Sequence, residues 1–224
     1  MELKTIAKIY TGFDEKFGIP RQSGMVDVPA RIVFEPDYRD INAIRGLEGF
    51  SHIWVLWEFS KAKSYTWQPT VRPPRLGGNK RMGVFATRSP FRPNSIGLSS
   101  LRLLRIEKNE ALGAVLHVSG ADILNGTPIF DIKPYIAFTD SHPDAVCGFS
   151  EEYKDYKLEV LVSDILLNRL PDELKQPLID LLANDPRPSY QHNSERVYGV
   201  SFFDYEIKFT VNDMTLTVTD INKR

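Results

Sequence analysis

The 224-residue chain contains one cysteine and four histidines, which is too few for several common kinds of site. The single Cys147 excludes an internal disulfide and a cysteine-cluster metal site. The histidines do not have the spacing of metal ligands. No apolar run is long enough for a membrane-spanning helix, and no apolar signal-peptide region follows the first residues. We therefore expect a cytoplasmic protein without a metal site or a membrane span.

The sequence signatures of three common enzyme classes are also missing. No Gly-x-Gly-x-x-Gly follows a predicted strand, so a dinucleotide-binding fold is disfavoured. Gly77-Gly-Asn-Lys80 lacks the spacing and the following hydroxyl residue of a nucleotide phosphate loop. No Gly-x-Ser-x-Gly elbow occurs. These absences remove the commonest dehydrogenase, kinase and hydrolase interpretations.

Acidic side chains are absent from the 48 consecutive residues 59–106, which contain ten basic side chains. The whole chain has 28 basic and 29 acidic residues, so the positive charge is concentrated in this basic segment. Its arginines offer forked donors for phosphate or carboxylate groups. Its glycines allow close approach of a ligand to the backbone, and its prolines stiffen the loops. The basic segment is predicted to form the floor of an anion-binding site.

The pattern of apolar residues predicts a mainly β protein in two domains. Many short strands with Gly- and Pro-rich turns indicate a small β-barrel N-terminal domain, residues 1–145. The composition changes at residues 141–150, and residues 150–224 are predicted to form a small α+β C-terminal domain. The predicted strands are 3–10, 31–34, 53–59, 81–87, 98–107, 111–120 and 129–134, then 157–162, 197–203, 205–211 and 215–220. The predicted helices are a short one near residues 40–47 and a longer one over residues 172–184, with Asp172 as its N-cap.

Five stretches, in order along the chain, carry a family resemblance. They are Gly18-Ile-Pro-Arg-Gln22, Phe50-Ser-His-Ile-Trp54, residues 72–98, residues 125–135 and residues 185–190. With these motifs the chain resembles the TsaA/TrmO family of S-adenosylmethionine-dependent tRNA methyltransferases over essentially its whole length. The resemblance implies a homodimeric β-barrel methyltransferase without a Rossmann domain. The implied reaction is N6-methylation of threonylcarbamoyl-adenosine at position 37, on the 3′ side of the anticodon of threonine tRNA.

The resemblance also implies a set of cofactor-binding residues. They are Pro20, Arg21, Gln22, Ser60, Lys61, Arg88, Leu98, Ser119, Gly120, Ala121 and Asp122. The chain departs from the family pattern at two places. Ser60-Lys61 stands where relatives often have a histidine-containing pair, and Asn125 stands where an aspartate is common.

Candidate catalytic residues follow from the spacing of charged side chains. Arg88 and Arg92 lie four residues apart in a Pro-constrained loop, where they could bind a cofactor carboxylate or an RNA phosphate. The alternative is a solvated charged loop. Asp131 and Lys133 alternate on a predicted strand, so they point the same way, as an active-site ion pair or as a structural bridge. Asp122 could accept hydrogen bonds from the cofactor, or it could cap a turn. The predicted catalytic residues are Asp131, Lys133 and Arg92, with Asp131 or solvent as the proton acceptor.

Further basic and aromatic residues are predicted to bind tRNA. As a set, Arg72, Arg75, Lys80 and Arg81 are better explained by an RNA backbone than by surface charge alone. Arg187 and Tyr190 could also contact RNA, since an aromatic ring can stack on an unpaired base, or their segment could simply end a helix. The competing hypothesis is a non-catalytic RNA-binding barrel that uses the same basic segment. A phosphoester hydrolase is a weaker one, because metal ligands are missing.

Overall fold

The computed structural model describes residues 2–61, 67–73, 76, 80–187 and 194–224, so Arg75 and Tyr190 lie outside the described residues. The strands in the described part are β1 (Ala7–Tyr10), β2 (Pro29–Phe34), β3 (His52–Glu58), β4 (Thr70–Val71), β5 (Met82–Gly83), β6 (Ile96–Asn109), β7 (Gly113–Ser119), β8 (Thr127–Pro134), β9 (Glu159–Leu161), β10 (Tyr198–Phe202), β11 (Tyr205–Asn212) and β12 (Thr215–Lys223). The α-helices there are α1 (Ala137–Asp140), α2 (Asp164–Leu167) and α3 (Asp172–Ala183).

Six strands close into an antiparallel barrel in the order β1-β2-β7-β6-β3-β8. Alternate side chains of each strand point inward, and in β3 these are Ile53, Val55 and Trp57, all buried. Closure pairs every strand edge and leaves a core of branched aliphatic side chains. The predicted small β-barrel is confirmed.

The C-terminal part contains a four-stranded sheet in the order β10-β11-β12-β9. Helix α3 buries the four leucines that the helical pattern placed on one face, which are Leu174, Leu178, Leu181 and Leu182. These leucines pack in the same core cluster as the inner faces of the sheet strands. The predicted fold class, mainly β with a small α+β C-terminal unit, is confirmed.

The chain between β1 and β2 packs against the C-terminal sheet. Phe13 lies 6.4 Å from Phe202, measured between ring centroids. The amide of Phe203 donates to the Gly12 carbonyl at 2.8 Å, and a Cβ on Gly12 would lie 2.4 Å from the Phe203 ring. Val26 belongs to the same core cluster. Two elements far apart in sequence therefore share one core, and the boundary at residues 141–150 stays a prediction.

Three local expectations were wrong. Only Met82–Gly83 of the expected strand 81–87 is paired as a strand, because a 3₁₀ turn over Val84–Ala86 follows, closed by a bond from the Thr87 amide to the Val84 carbonyl. The helix near 40–47 is instead two 3₁₀ turns, Ile41–Ile44 and Leu47–Gly49. Gly46 separates them with φ +88°, which a continuing helix does not allow.

The third wrong expectation concerns the N-cap of α3. Pro171 holds that position, and Asp172 is the first helical residue, 2.6 Å from the Lys175 ammonium. An acidic side chain in the first turn still suits the helix dipole. Within the described residues, no helix has the length and apolarity needed to cross a membrane.

Candidate functional site

An open cleft of about 1180 Å³ lies beside the barrel, where the loop before β2, the end of β3 and the loop before β6 converge. Nine of the predicted site residues line it, which are Pro20, Arg21, Gln22, Ser60, Lys61, Arg88, Arg92, Leu98 and Asp122. Residues as far apart in the chain as Pro20 and Asp122 therefore meet at one place. The cleft offers both signs of charge together with the aromatic rings of Trp57 and Phe59, whose centroids lie 4.3 Å apart.

Asp122 is the largely buried carboxylate of this cleft. The Ser99 hydroxyl donates to Asp122 Oδ1 at 2.6 Å, and the indole Nε1 of Trp57 donates to the same Ser99 hydroxyl at 3.0 Å. Burial raises the pKa of the Asp122 carboxyl, although the Ser99 bond and the charge of Arg88 oppose the rise. A carboxylate held in this way can accept hydrogen bonds from ligand hydroxyl or ammonium groups. Sequence reasoning missed Ser99, because its partners Trp57 and Asp122 come from other parts of the chain.

Arg88 joins two walls of the cleft. Its guanidinium Nη1 donates to the side-chain oxygen of Gln22, which links the loop before β6 to the loop before β2. Arg88 is exposed, and its charge acts on Asp122. The cleft therefore carries a cation and a largely buried acidic group near each other, as an amino-acid-like ligand would need.

Arg21 lines the cleft and also reaches the C-terminal part of the chain. Its Nη2 donates to the backbone carbonyls of Asp185, at 3.0 Å, and of Arg187, at 2.8 Å. This contact fixes the loop before β2 against the segment that ends α3. Arg21 was predicted only as a cofactor ligand, and the geometry gives it a positioning role as well.

Arg187 does not lie on an RNA-accessible surface. Only 6% of the residue is exposed, and its Nε and Nη2 bind the two oxygens of Asp185 at 2.9 and 3.0 Å. The Tyr156 hydroxyl also donates to Asp185, at 3.1 Å. Arg187 is therefore not placed to bind RNA, because a buried guanidinium bound to both carboxylate oxygens of Asp185 cannot reach a backbone phosphate.

Arg92 braces the loop on which it sits. Its Nη1 donates to the carbonyls of Val84, at 3.1 Å, and Thr87, at 2.7 Å, and its Cζ lies 5.6 Å from the centroid of the Phe85 ring. These contacts hold the 3₁₀ turn beside the cleft wall. The geometry therefore assigns Arg92 to the shape of the loop, and its predicted catalytic role stays a prediction.

Asp131 and Lys133 form an ion pair of 2.8 Å on the outer face of β8, where both are substantially exposed. The pair lies beside the cleft, because Lys133 is paired across the strands with Trp54, which lines it. Among the described residues, neither Asp131 nor Lys133 belongs to the lining itself. An exposed pair of this kind contributes little to stability. The catalytic role predicted for Asp131 and Lys133 stays a prediction.

Ser119, Gly120 and Ala121 support the cleft from behind. Ser119 and Ala121 are buried. The Gly120 carbonyl accepts from the Gly24 amide at 2.9 Å, and Gly120 has φ +83° with the Gly24 backbone 3.3 Å from where a Cβ would lie. The segment therefore holds the loop before β2 in place, which requires a glycine at position 120.

The outer wall of the cleft contains a group that the sequence did not reveal. Trp54 donates to Asp140 Oδ2 at 2.8 Å, and its ring lies 5.5 Å from that of Tyr135. Bonds from the Ile136 amide and from Trp54 lower the pKa of the Asp140 carboxyl. Asp140 follows β8 in the short helix α1, a placement that depends on the barrel and leaves no local motif.

Exposed cations lie in the described part of the basic segment. Arg72, Lys80 and Arg81 are exposed, and Arg81 Nη1 lies 3.3 Å from the Thr70 hydroxyl. No cluster of metal-ligating side chains occurs among residues that the structure describes.

Comparisons with known proteins agree with this geometry. The family model of the tRNA-methyltransferase O N-terminal domain matches residues 8–141, and that of the TrmO C-terminal domain matches residues 152–224. The tRNA (adenine(37)-N6)-methyltransferase of Escherichia coli (strain K12) is 37% identical, covering 100% of this chain and 98% of that protein. A Pseudomonas aeruginosa protein named "Putative S-adenosylmethionine-dependent methyltransferase RcsF" is 40% identical, covering 90% and 89%.

A solved structure has the same fold. The crystal structure of TrmO from Pseudomonas aeruginosa superposes with a TM-score of 0.78 at 31% identity, over 99% of this chain and 98% of that chain. Fold, cleft and relatives together define a β-barrel methyltransferase. The chain belongs to the tRNA-methyltransferase O family.

Proposed function

We propose that the protein transfers a methyl group from S-adenosylmethionine to N6 of adenosine 37 in tRNA. The finer proposal is that its substrate is the threonylcarbamoyl-adenosine of threonine tRNA, which becomes the N6-methylated form. The observation that carries the proposal is that one cleft, lined in part by the basic segment, holds both the largely buried Asp122 and the exposed Arg88. We also propose that the protein acts in the cytoplasm, where tRNA is modified.

The residues of the cleft fit S-adenosylmethionine, which carries a carboxylate, an ammonium group, ribose hydroxyls and an adenine ring. Arg88 would hold the carboxylate through charge-assisted hydrogen bonds. Asp122 would accept from the ammonium group or a ribose hydroxyl, and Trp57 and Phe59 would provide apolar surface for the adenine. When bound, S-adenosylmethionine supplies a methyl group that its sulfonium activates.

The contribution of the chain is mainly alignment, because an in-line displacement needs donor and acceptor held in a narrow range of positions. The Gln22–Arg88 bond and the anchoring of Arg21 on the C-terminal segment fix the loops that do this. The proton on N6 must also leave. We favour water as its acceptor, since Asp131 is bound to Lys133 on the outer barrel face.

The tRNA would approach along the basic segment. Arg72, Lys80 and Arg81 are exposed in the described part of it and would contact backbone phosphates. Such binding weakens as salt rises, because phosphate contacts release counterions. The target base lies in a loop, so it can enter the cleft without the melting of a long duplex.

A homodimer is also proposed. The outer barrel surface exposes Leu98 and Leu104 on β6, and Phe138 on α1 is 90% exposed. Large apolar side chains exposed on a barrel surface favour a protein partner. Light scattering coupled to size-exclusion chromatography would measure the mass directly, and a monomer at working concentrations contradicts this part of the proposal.

The test of function is a transfer assay with S-adenosylmethionine labelled in the methyl group. The acceptors are threonine tRNA with threonylcarbamoyl-adenosine, the same tRNA with plain adenosine 37, and a tRNA with another base there. Mass spectrometry of the digested nucleosides locates the label. Label only on the modified tRNA supports the finer proposal, and equal label on plain adenosine leaves only the coarser one.

Calorimetry with S-adenosylmethionine and S-adenosylhomocysteine tests the cofactor separately. Saturable binding by the wild type and a loss of affinity in Arg88→Ala are expected, on the order of tenfold for one charge-assisted contact. Unchanged affinity removes Arg88 from the cofactor contacts. Salt-sensitive tRNA binding without binding of either cofactor form assigns the protein to non-catalytic RNA-binding barrels.

A further inference from the structure

Two large aromatic rings lie stacked and exposed in the basic segment. The rings of Trp67 and Phe85 have centroids 6.1 Å apart and planes inclined by 28°. Trp67 is 49% exposed and Phe85 is 70% exposed. Scattered exposed apolar residues are ordinary, but two large aromatic rings that are both adjacent and exposed are a feature of binding surfaces. We call Trp67 and Phe85 the aromatic platform.

The backbone beneath the aromatic platform is held firmly. Val84 is buried, so the 3₁₀ turn Val84–Ala86 turns the next side chain, Phe85, outward. The Val84 amide donates to the Pro69 carbonyl at 2.9 Å, which brings the segment that follows Trp67 beside the turn. The Val84 carbonyl accepts from Arg92. An aromatic ring on such a constrained backbone loses little conformational entropy when a ligand stacks on it.

The platform is continuous with the cleft through Arg92. The guanidinium carbon of Arg92 lies over the Phe85 ring, and Arg92 also lines the cleft. Arg81 is exposed nearby and lies within 3.3 Å of Thr70, in the strand that follows Trp67. The segment around the platform has no acidic side chain. Aromatic faces between arginines form the usual combination for unpaired nucleotides, with stacking for bases and cations for phosphates.

We propose that the aromatic platform stacks an unpaired nucleobase of an RNA loop, next to the adenosine that enters the cleft. The inference rests on the proposed function, since it supplies a second contact for the same RNA. A loop that presents one base to the cleft must hold the neighbouring bases elsewhere, and the platform is the aromatic surface joined to the cleft by Arg92. A second copy of this chain is the competing occupant.

The test measures the affinity of variants for an anticodon stem-loop RNA of threonine tRNA by fluorescence anisotropy. Trp67→Ala and Phe85→Ala are expected to weaken binding by roughly tenfold, the loss typical of one stacking contact. Trp67→Phe keeps a ring and is expected to retain most of the affinity. Ile165→Ala is the matched control, because Ile165 is 79% exposed on α2, outside the basic segment. Binding of S-adenosylhomocysteine, measured by calorimetry, reports that each variant is folded with its cleft intact.

A second RNA identifies the base as the ligand. In this RNA the nucleotides that flank the target adenosine are abasic, and Trp67→Ala is expected to cause little further loss of affinity. An unchanged affinity of both alanine variants for the complete loop overturns the platform while leaving the methyltransferase proposal intact. Failure of the wild type to bind either RNA contradicts the proposed function itself. A change from dimer to monomer in Trp67→Ala assigns the platform to a second copy and overturns the inference.

Discussion

Arg187 and Asp185 form a bidentate ion pair that is almost completely buried, with Nε–Oδ1 and Nη2–Oδ2 distances of 2.9 and 3.0 Å. The pair lies at the end of α3, and its backbone carbonyls receive the guanidinium of Arg21 from the wall of the cleft. Asp185 has φ +51°, a conformation that the surrounding bonds maintain. The described residues of the C-terminal part therefore help to shape the cleft without lining it.

Asp185→Asn is expected to lower the free energy of unfolding by about 3 kcal/mol, because it leaves the Arg187 charge buried without a carboxylate. Urea denaturation followed by circular dichroism measures the change. The matched control is Asp14→Asn, which removes the exposed pair between Asp14 and Arg224 and should cost less than about 1 kcal/mol. Equal decreases in the free energy of unfolding for the two variants would show that the buried Asp185–Arg187 pair stabilises the protein no more than the exposed Asp14–Arg224 pair.

The same pair predicts an acid-sensitive contribution to stability. Burial alone would raise the pKa of Asp185, but the hydrogen bonds and charge of Arg187 outweigh it, so the pKa lies below its ordinary value. A carboxyl whose pKa is lower in the folded state stabilises the protein above its unfolded pKa of about 3.9. This contribution is lost as the pH falls through the folded pKa.

Denaturation midpoints measured at a series of pH values test this linkage. The wild type should lose stability more steeply than Asp185→Asn below about pH 4, where the variant has no carboxyl to protonate. Parallel curves for the two proteins would contradict the assignment of the acid sensitivity to Asp185.

Asp122→Asn separates binding from stability. Burial raises the pKa of Asp122, so its ionised form costs folding free energy at neutral pH, and this cost appears as the pH rises above the unfolded pKa. We expect the variant to be at least as stable as the wild type but to bind S-adenosylhomocysteine about tenfold or more weakly, since a charged acceptor is lost. Calorimetry and thermal melting provide the two readings.

The control for Asp122 is Asp213→Asn, in the turn between β11 and β12, where φ +51° suits an asparagine. Its cofactor affinity should equal that of the wild type. A stability loss in Asp122→Asn with unchanged affinity would make Asp122 a structural residue instead of a ligand for the cofactor.

Gly97→Ala tests the close packing of the Trp57 ring against the backbone of Gly97. A Cβ at position 97 would lie 2.3 Å from the Trp57 indole, so the ring must shift and weaken its bond to Ser99. The expected cost is about 1–3 kcal/mol of stability, together with a shift in tryptophan fluorescence. Gly83→Ala is the matched control, because a Cβ there meets no atom within 4 Å. Similar losses in both would show that the ring has room to move.

The sequence predicted the barrel, the α+β sheet and α3 because each depends on a local pattern. Alternating apolar residues specify a strand face, and four leucines at helical spacing specify the buried side of α3. It was wrong at residues 81–87, where an apolar run looks like a strand but forms a 3₁₀ turn. The Pro69 carbonyl that holds this turn comes from another part of the chain, and no local pattern reports it.

The candidate site divides in the same way. The motifs around Gln22, Arg88 and Asp122 could be recognised in the sequence, and the structure brings all three to one cleft. Ser99 and the Asp140–Trp54 bond could not be recognised, since each depends on which barrel strands are neighbours. Arg187 was instead recognised but given the wrong environment. A charged residue in a Pro-rich segment suggests exposure, and only the structure shows that Arg187 is buried against Asp185.

The sequence by itself determined the family resemblance, the fold class and the concentration of positive charge between residues 59 and 106. These are properties of order and composition. Only the tertiary structure decided which cations face solvent, which brace loops, and which aromatic rings lie stacked beside the cleft. The physical reason is that burial, hydrogen-bond partners and ring contacts arise between residues distant in sequence, once the barrel closes and the chain between β1 and β2 packs against the C-terminal sheet.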